Sequence, residues 1–175
     1  MKQYDFILKF ALGHQDADPE MAVEPLLKGG CDDALIGIGK PGQIALDFSR
    51  EANSADEAVL SAISDVKRAI PDATLIEATP DFVGVSDIAS LLSVSRQYIR
   101  KIIQQNTREF PLPMYGGNRA IWHLEPVLAW LVERKVRQID DTLLEISRVN
   151  MRCNHIVDRR RLQEEIPESY VQAVG

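Results

Sequence analysis

The stretch VSDIASLLSVSRQYIRKII, residues 85–103, decides how this chain is organised. Two sets of apolar positions recur in it at helical spacing: 88, 91, 92 and 94, then 98, 99, 102 and 103. This pattern predicts two short helices joined by a tight turn, with the small residue Ala89 where the helices come closest. The stretch is therefore interpreted as a helix-turn-helix.

Serines stand at the start of both predicted helices. Ser86 is placed to cap the first helix, and Ser95 to cap the second, which we predict over residues 95–105. The outward positions of the second helix carry polar and basic side chains: Arg96, Gln97, Arg100, Lys101 and Gln104. Such groups donate hydrogen bonds to phosphates and to base edges, so this face is a candidate DNA-binding surface.

A small hairpin follows the two helices. Residues 110–113 (FPLP) exclude helix because they contain two prolines, and residues 114–122 then flank a tip of two glycines, Asn118 and Arg119. We interpret residues 114–122 as a wing. A further helix starts at Glu125-Pro126, where proline suits the first helical position, and His123 before it is expected to cap or pack rather than to bind a ligand.

The charge distribution singles out the same region. The 175 residues carry a net charge of −6, which by itself argues against nucleic acid. Residues 1–84 contain 7 Lys and Arg against 15 Asp and Glu, residues 85–137 contain 8 against 4, and residues 138–175 contain 5 against 7. The only basic region thus coincides with the helix-turn-helix, as expected for a DNA-binding footprint.

The acidic N-terminal region alternates strand and helix patterns. Strands are predicted over 4–12, 34–38, 43–48 and 74–78, and helices from Asp16-Ala17-Asp18-Pro19 to Lys28 and from a Ser54 cap to Ile70. The order β-α-β-β-α-β predicts a ferredoxin-like sandwich, with two helices on one face of a four-stranded antiparallel sheet. The fold class is thus α+β, with a ferredoxin-like domain (1–79), a winged helix-turn-helix (80–137) and a long C-terminal helix (138–167).

Several features of the chain resemble catalytic or cofactor sites. Residues 37–42 spell GxGxxG, but a strand follows instead of the helix that a dinucleotide site needs, so we predict a hairpin turn. Cys31 and Cys153 form no CxxC pair, and the N-terminal acids are expected to be solvated faces and helix starts. We predict no enzyme activity, cofactor or metal site, and, without a long apolar run or a secretory signal pattern, a cytoplasmic protein.

Residues 82–131 together resemble a known family. The DIASLLSVSRQYIRKII core, the FPLP segment, the glycine-tipped hairpin ending in Ile-Trp and the helix ending in AWL are similar to the winged helix-turn-helix of excisionase-like, AlpA-like and MerR-like bacterial DNA-binding proteins. The resemblance implies that the second helix enters the major groove and that the wing contacts backbone or minor groove. It would place in the groove Arg96, Gln97, Tyr98, Arg100 and Lys101, and on the wing Asn118 and Arg119. Ser93 departs from the family, which usually has glycine there because the turn requires a positive φ.

The C-terminal region has a narrow apolar stripe at helical spacing. Its members are Ile139, Leu143, Ile146, Val149, Cys153, Ile156 and Val157. Such a seam is typical of a helix with a partner helix, so we predict a homodimer through this helix, bound to a palindromic or repeated DNA site. The alternative is that the helix packs back on its own winged domain.

These patterns predict a bacterial or phage-type, sequence-specific DNA-binding transcription regulator whose partner is double-stranded DNA. An alternative is an antitoxin-like or partner-binding protein, in which the acidic N-terminal domain engages another protein and DNA binding serves autoregulation. An architectural, excisionase-like role is a third interpretation. A helix-turn-helix can also be a mere packing unit with a solvated basic face.

Overall fold

The computed structural model describes residues 1–163 and 165–174 and has a mixed α+β fold, as the sequence predicts. The strands are β1 (Lys2–Ala11), β2 (Ala34–Ile38), β3 (Gln43–Ala52), β4 (Thr74–Thr79), β5 (Phe82–Val83) and β6 (Trp122–His123). The helices are α1 (Glu20–Lys28), α2 (Ala55–Ala69), α3 (Val85–Leu91), α4 (Arg96–Gln105), α5 (Leu124–Glu133), α6 (Asp141–Arg161) and α7 (Glu168–Val174). None of these helices is long and apolar enough to cross a membrane.

The first four strands form an antiparallel sheet in the order β2-β3-β1-β4. Because side chains alternate between the faces of a strand, one face is apolar and carries Tyr4, Phe6 and Leu8 with Leu46 and Phe48. Helices α1, α2 and α6 pack on this face and complete one hydrophobic core. The opposite face carries exposed polar side chains, so the sheet is covered from one side.

Local signals in the N-terminal region act as the sequence predicts. The GxGxxG segment ends β2 and, over residues 39–42, forms the turn to β3. Gly42 has a φ of +74° and lies against the backbone of Gln15, where no Cβ would fit. Ser54 caps α2 by accepting from the Glu57 backbone N–H at 3.1 Å. The Glu57 carboxylate in turn accepts from the Asn53 backbone N–H at 3.0 Å, which anchors the chain entering the helix.

A second core joins α3, α4 and α5. The short strands β5 and β6 pair with each other, with Phe82 opposite His123 and Val83 opposite Trp122, and the second of these pairs is part of this core. The ring of Phe110 packs on Trp122, and the Trp122 indole N–H donates to the Pro111 carbonyl at 2.9 Å. The proline segment is therefore held on this core rather than extended into solvent.

Two helix starts differ from the predictions. α3 begins at Val85, so Ser86 is not its cap; Gly84 occupies that position, and its N–H donates to the Asp87 carboxylate at 2.8 Å. α5 begins two residues before Pro126, at Leu124. The proline is still tolerated because backbone N–H groups of the first helical turn have no partner within the helix.

Helix α6 is shorter than the predicted 138–167, and it packs within its own chain. Three stripe residues, Ile146, Val149 and Val157, are buried in the core under the sheet, with Cys153 partly buried beside them. Ile139 is buried in the second core, where Leu143 packs at its edge. Of the seven stripe residues, only Ile156 is exposed to solvent, at 65%. The predicted dimer seam is therefore wrong for the buried members, because the sheet and the second core already cover them.

Polar contacts of α6 connect the two cores. The Asn154 amide accepts from the Ala78 backbone N–H at 2.8 Å and donates to the Ala78 carbonyl at 2.7 Å. It also donates to the Asp81 carboxylate at 2.8 Å, whose other oxygen lies 2.8 Å from Nδ1 of His123. The Asp81 carbonyl accepts from the Leu124 N–H at 2.7 Å. The segment between β4 and β5 is thus pinned between the sheet, α6 and α5.

Candidate nucleic-acid interface

The turn between α3 and α4 is closed by backbone bonds. The Ser93 N–H donates to the Ser90 carbonyl at 3.1 Å, and the Val94 N–H donates to the Ala89 carbonyl at 2.9 Å. Ser93 has a φ of +52°, the positive φ expected at this position, where glycine would be favoured. An Arg137 guanidinium N–H donates to the Leu92 carbonyl at 2.7 Å, so the segment that follows α5 holds the end of α3.

Helix α4 begins where the sequence predicts. The Ser95 hydroxyl accepts from the Tyr98 backbone N–H at 3.1 Å and caps the helix. Ile99 and Ile102 are buried against α3 and α5. Because positions three and four residues apart share a helix face, the remaining polar positions form one outward surface. All of the predicted α4 residues are exposed: Ser95, Arg96, Gln97, Tyr98, Arg100, Lys101 and Gln104.

The positive charge of α4 is left uncompensated within the described part of the chain. The helix contains three basic residues and no acidic one. Arg96, Arg100 and Lys101 form no salt bridge with any described residue, whereas Arg134 at the end of α5 is paired with Glu109 at 3.0 Å. An exposed cationic face without internal partners is available to an anionic ligand.

The predicted wing is a smaller hairpin than expected. Tyr115 and Ile121 form a single bridge, with N–H to carbonyl distances of 3.3 and 3.0 Å, and residues 116–120 form the loop. Asn118 and Arg119 are exposed in that loop. The exposed Tyr115 ring lies over Gly117, so a Cβ at that position would come within 2.4 Å of the ring unless the Tyr115 side chain moved.

The structure also exposes side chains that the sequence reasoning did not select. Arg108, just beyond α4, is exposed and forms no salt bridge within the described residues. Its position in a polar segment directly after a basic helix was the available signal. Leu112, just before the wing, and Met114 and Tyr115, at its start, are also exposed. In a sequence, apolar residues that flank a hairpin are normally expected in the core, so no pattern distinguished these exposed residues from buried ones.

No group of three or more His, Cys, Asp or Glu side chains in residues 1–163 and 165–174 is arranged to hold a metal ion. Comparison with protein-family models, with curated proteins and with solved structures found no match for this chain.

Proposed function

We propose that this chain is a sequence-specific DNA-binding transcription regulator that inserts α4 into the major groove. The exposed, basic face of α4, which has no salt-bridge partner within the described residues, carries the proposal. With its side chains an α-helix is about 10–12 Å in diameter, which fits a major groove about 12 Å wide, and the ten residues of α4 extend about 15 Å along it. Residues near its N-terminus, Arg96 and Gln97, reach base edges, and Arg100 follows one turn later.

The proposed architecture is a ferredoxin-like domain followed by a winged helix-turn-helix. The element order β-α-β-β-α-β and the strand order β2-β3-β1-β4 support the first part. The capped α4, the positive φ at Ser93 and the Tyr115–Ile121 bridge support the second. In this arrangement Asn118 and Arg119 on the wing contact the DNA backbone or the minor groove.

In the proposed complex, contacts to phosphates and contacts to bases both contribute to the binding free energy. Lys101, Arg108 and Arg119 neutralise phosphates, whereas Arg96 and Arg100 read bases as bidentate donors. For a dimer with about six to ten phosphate contacts, the logarithm of the affinity falls with the logarithm of salt concentration by about 0.9 per contact. Replacing Arg100 by Ala costs about 1–3 kcal/mol on the preferred sequence.

The first experiment selects bound fragments from random and native DNA with the full chain. The test variant is Arg96→Ala/Arg100→Ala, and the matched control is Lys67→Ala/Arg152→Ala, which also removes two positive charges but on α2 and α6. Enrichment of a defined motif by the wild type and the control, lost in the test variant, supports the proposal. No enrichment by the wild type, or unchanged enrichment by the test variant, contradicts it.

A single substitution separates base reading from charge. If Arg100→Ala weakens binding to the selected motif by roughly 10- to 100-fold but leaves binding to random DNA unchanged, Arg100 is a base reader. An equal loss on both DNAs makes it a phosphate contact instead. Strong bending of the selected DNA would assign the chain an architectural, excisionase-like role.

The second candidate is an antitoxin-like, partner-binding function of the acidic N-terminal region. The outer face of the sheet favours it, because Asp5, Asp47 and Glu51 are exposed there beside Leu35, which is 77% exposed. A basic protein would find both charge and apolar contact on that face. Capture of a specific basic partner that is lost in Asp5→Asn/Asp47→Asn would support it, and unchanged capture by that variant would contradict it.

A further inference from the structure

The two edge strands of the sheet, β4 and β2, differ in whether another element covers their backbone groups. At the β4 edge, α6 side chains bond to the strand backbone: Asn154 to Ala78 in both directions, and Arg161 to the Ile76 carbonyl at 2.9 Å. The other edge, β2, pairs with β3 alone. Its residues 34–38 contain no proline and no charge, the usual devices that keep an exposed edge from pairing.

The backbone of β2 presents hydrogen-bonding groups to solvent. The Asp33 carbonyl accepts from the Ser49 N–H of β3 at 3.1 Å, so the backbone of residue 33 faces β3. The direction alternates along an antiparallel strand, so residues 35 and 37 also face β3. The N–H and carbonyl groups of Ile36 and Ile38, and the Ala34 carbonyl, therefore point away from the sheet.

We propose that β2 pairs with β2 of a second copy of this chain and joins the two sheets into one of eight strands. A two-fold axis at Ile36 sets each Ile36 opposite its counterpart and Ala34 opposite Ile38 of the second copy. In this antiparallel register the two Ile36 residues exchange a reciprocal pair of bonds, and each Ile38 N–H donates to the Ala34 carbonyl of the second copy. Leu35, 77% exposed, falls opposite Gly37 of the second copy, where the missing side chain leaves room for it.

Charge favours the same register. If the pairing continues two residues beyond Ala34 and Ile38, Asp32 lies beside Lys40 of the second copy. The two-fold axis generates a second such pair. Both residues are exposed, and neither forms a salt bridge with a described residue. A five-residue edge is a small interface, which is typical of weak association in free solution. Two DNA half-sites held close together would strengthen it by raising the effective concentration.

The test is sedimentation of the full chain without DNA, over a wide range of protein concentration. The wild type should form dimers with a dissociation constant of roughly 1–100 µM. Asp32→Lys and Lys40→Asp should each raise that constant about tenfold, because each turns two attractive pairs into repulsive ones. The double variant Asp32→Lys/Lys40→Asp should restore it to about the wild-type value. Glu133→Lys on α5 is the matched charge control and should change nothing.

A wild type that stays monomeric over the whole range would overturn the proposal, as would charge variants with unchanged dimerisation or a double variant that fails to recover. Because DNA is absent from this experiment, its result does not depend on the function proposed above. A monomer that still selects a DNA motif would refute the β2 pairing alone.

Discussion

The sharpest prediction concerns Asn154 in α6, whose side chain is 1% exposed and makes three hydrogen bonds. It bonds to the N–H and carbonyl of Ala78 and to the Asp81 carboxylate, all at 2.7–2.8 Å. Asn154→Leu keeps the branched shape and the number of side-chain heavy atoms but removes all three bonds. The change leaves a backbone N–H, a carbonyl and one carboxylate oxygen without these partners in a buried site.

The expected loss of stability can be worked from these groups. A buried polar group without a partner costs about 1–3 kcal/mol, and more when it is charged. Three such groups, with partial relaxation around the leucine, give a loss of about 3–6 kcal/mol in the free energy of unfolding. That is a large part of the roughly 5–15 kcal/mol typical of folded proteins, so the variant should unfold at much lower urea concentration.

The same helix offers a matched control one turn earlier. Asn150 is also fully buried, but its amide makes a single 3.3 Å bond to the Pro80 carbonyl, and its oxygen has no partner within the described residues. Asn150→Leu therefore removes little and should change the free energy of unfolding by less than about 1 kcal/mol. The assay is urea unfolding followed by circular dichroism. Equal losses in the two variants, or a loss below about 1.5 kcal/mol for Asn154→Leu, would refute the reasoning.

Three further predictions follow from local contacts. Ser95→Ala removes the cap of α4, so urea unfolding should show a loss of about 1 kcal/mol, whereas no measurable loss would mean that the cap does not contribute. Hydrogen bonds from Lys2 and then Tyr4 lower the pKa of Glu145 below its usual 4.5, so its stabilisation is present above that value and lost as pH falls through the lowered pKa. Urea unfolding of wild type and Glu145→Gln should therefore differ at neutral pH and converge in acid, and a constant difference would contradict this. Burial raises the pKa of the Cys31 thiol to about 11, so a thiol reagent at pH 8 should modify it only after unfolding.

Much of the candidate interface could be predicted because its signals are local. The Ser95 hydroxyl reaches a backbone N–H only three residues away, and the turn at Ser93 is closed by bonds that span three and five residues. Local rules of this kind also predicted the turn between β2 and β3. The prediction that Ser86 caps α3 was wrong because both Ser86 and Gly84 could occupy the N-cap position. The Asp87 carboxylate accepts from the Gly84 N–H and so stabilises the earlier start. Such a competition is decided by geometry that sequence spacing does not contain.

The assignment of the α6 stripe failed for a different reason. Apolar residues at helical spacing require that a face be covered, and they carry no information on whether the cover comes from the same chain or another. The polar members of the face are more informative. Ser147, Asn150 and Asn154 are all buried on α6, on successive turns among Ile146, Val149 and Val157.

A seam between two helices tolerates a single buried polar residue, at a cost in stability, because helical backbones have few free groups to pair with it. A strand edge instead offers both an N–H and a carbonyl at one residue, as Ala78 does to the Asn154 amide. Repeated Asn on the apolar face of a helix therefore favours a sheet edge as its cover. The buried Asn residues of α6 thus indicate docking on β4, and β2 remains the edge open to a second copy.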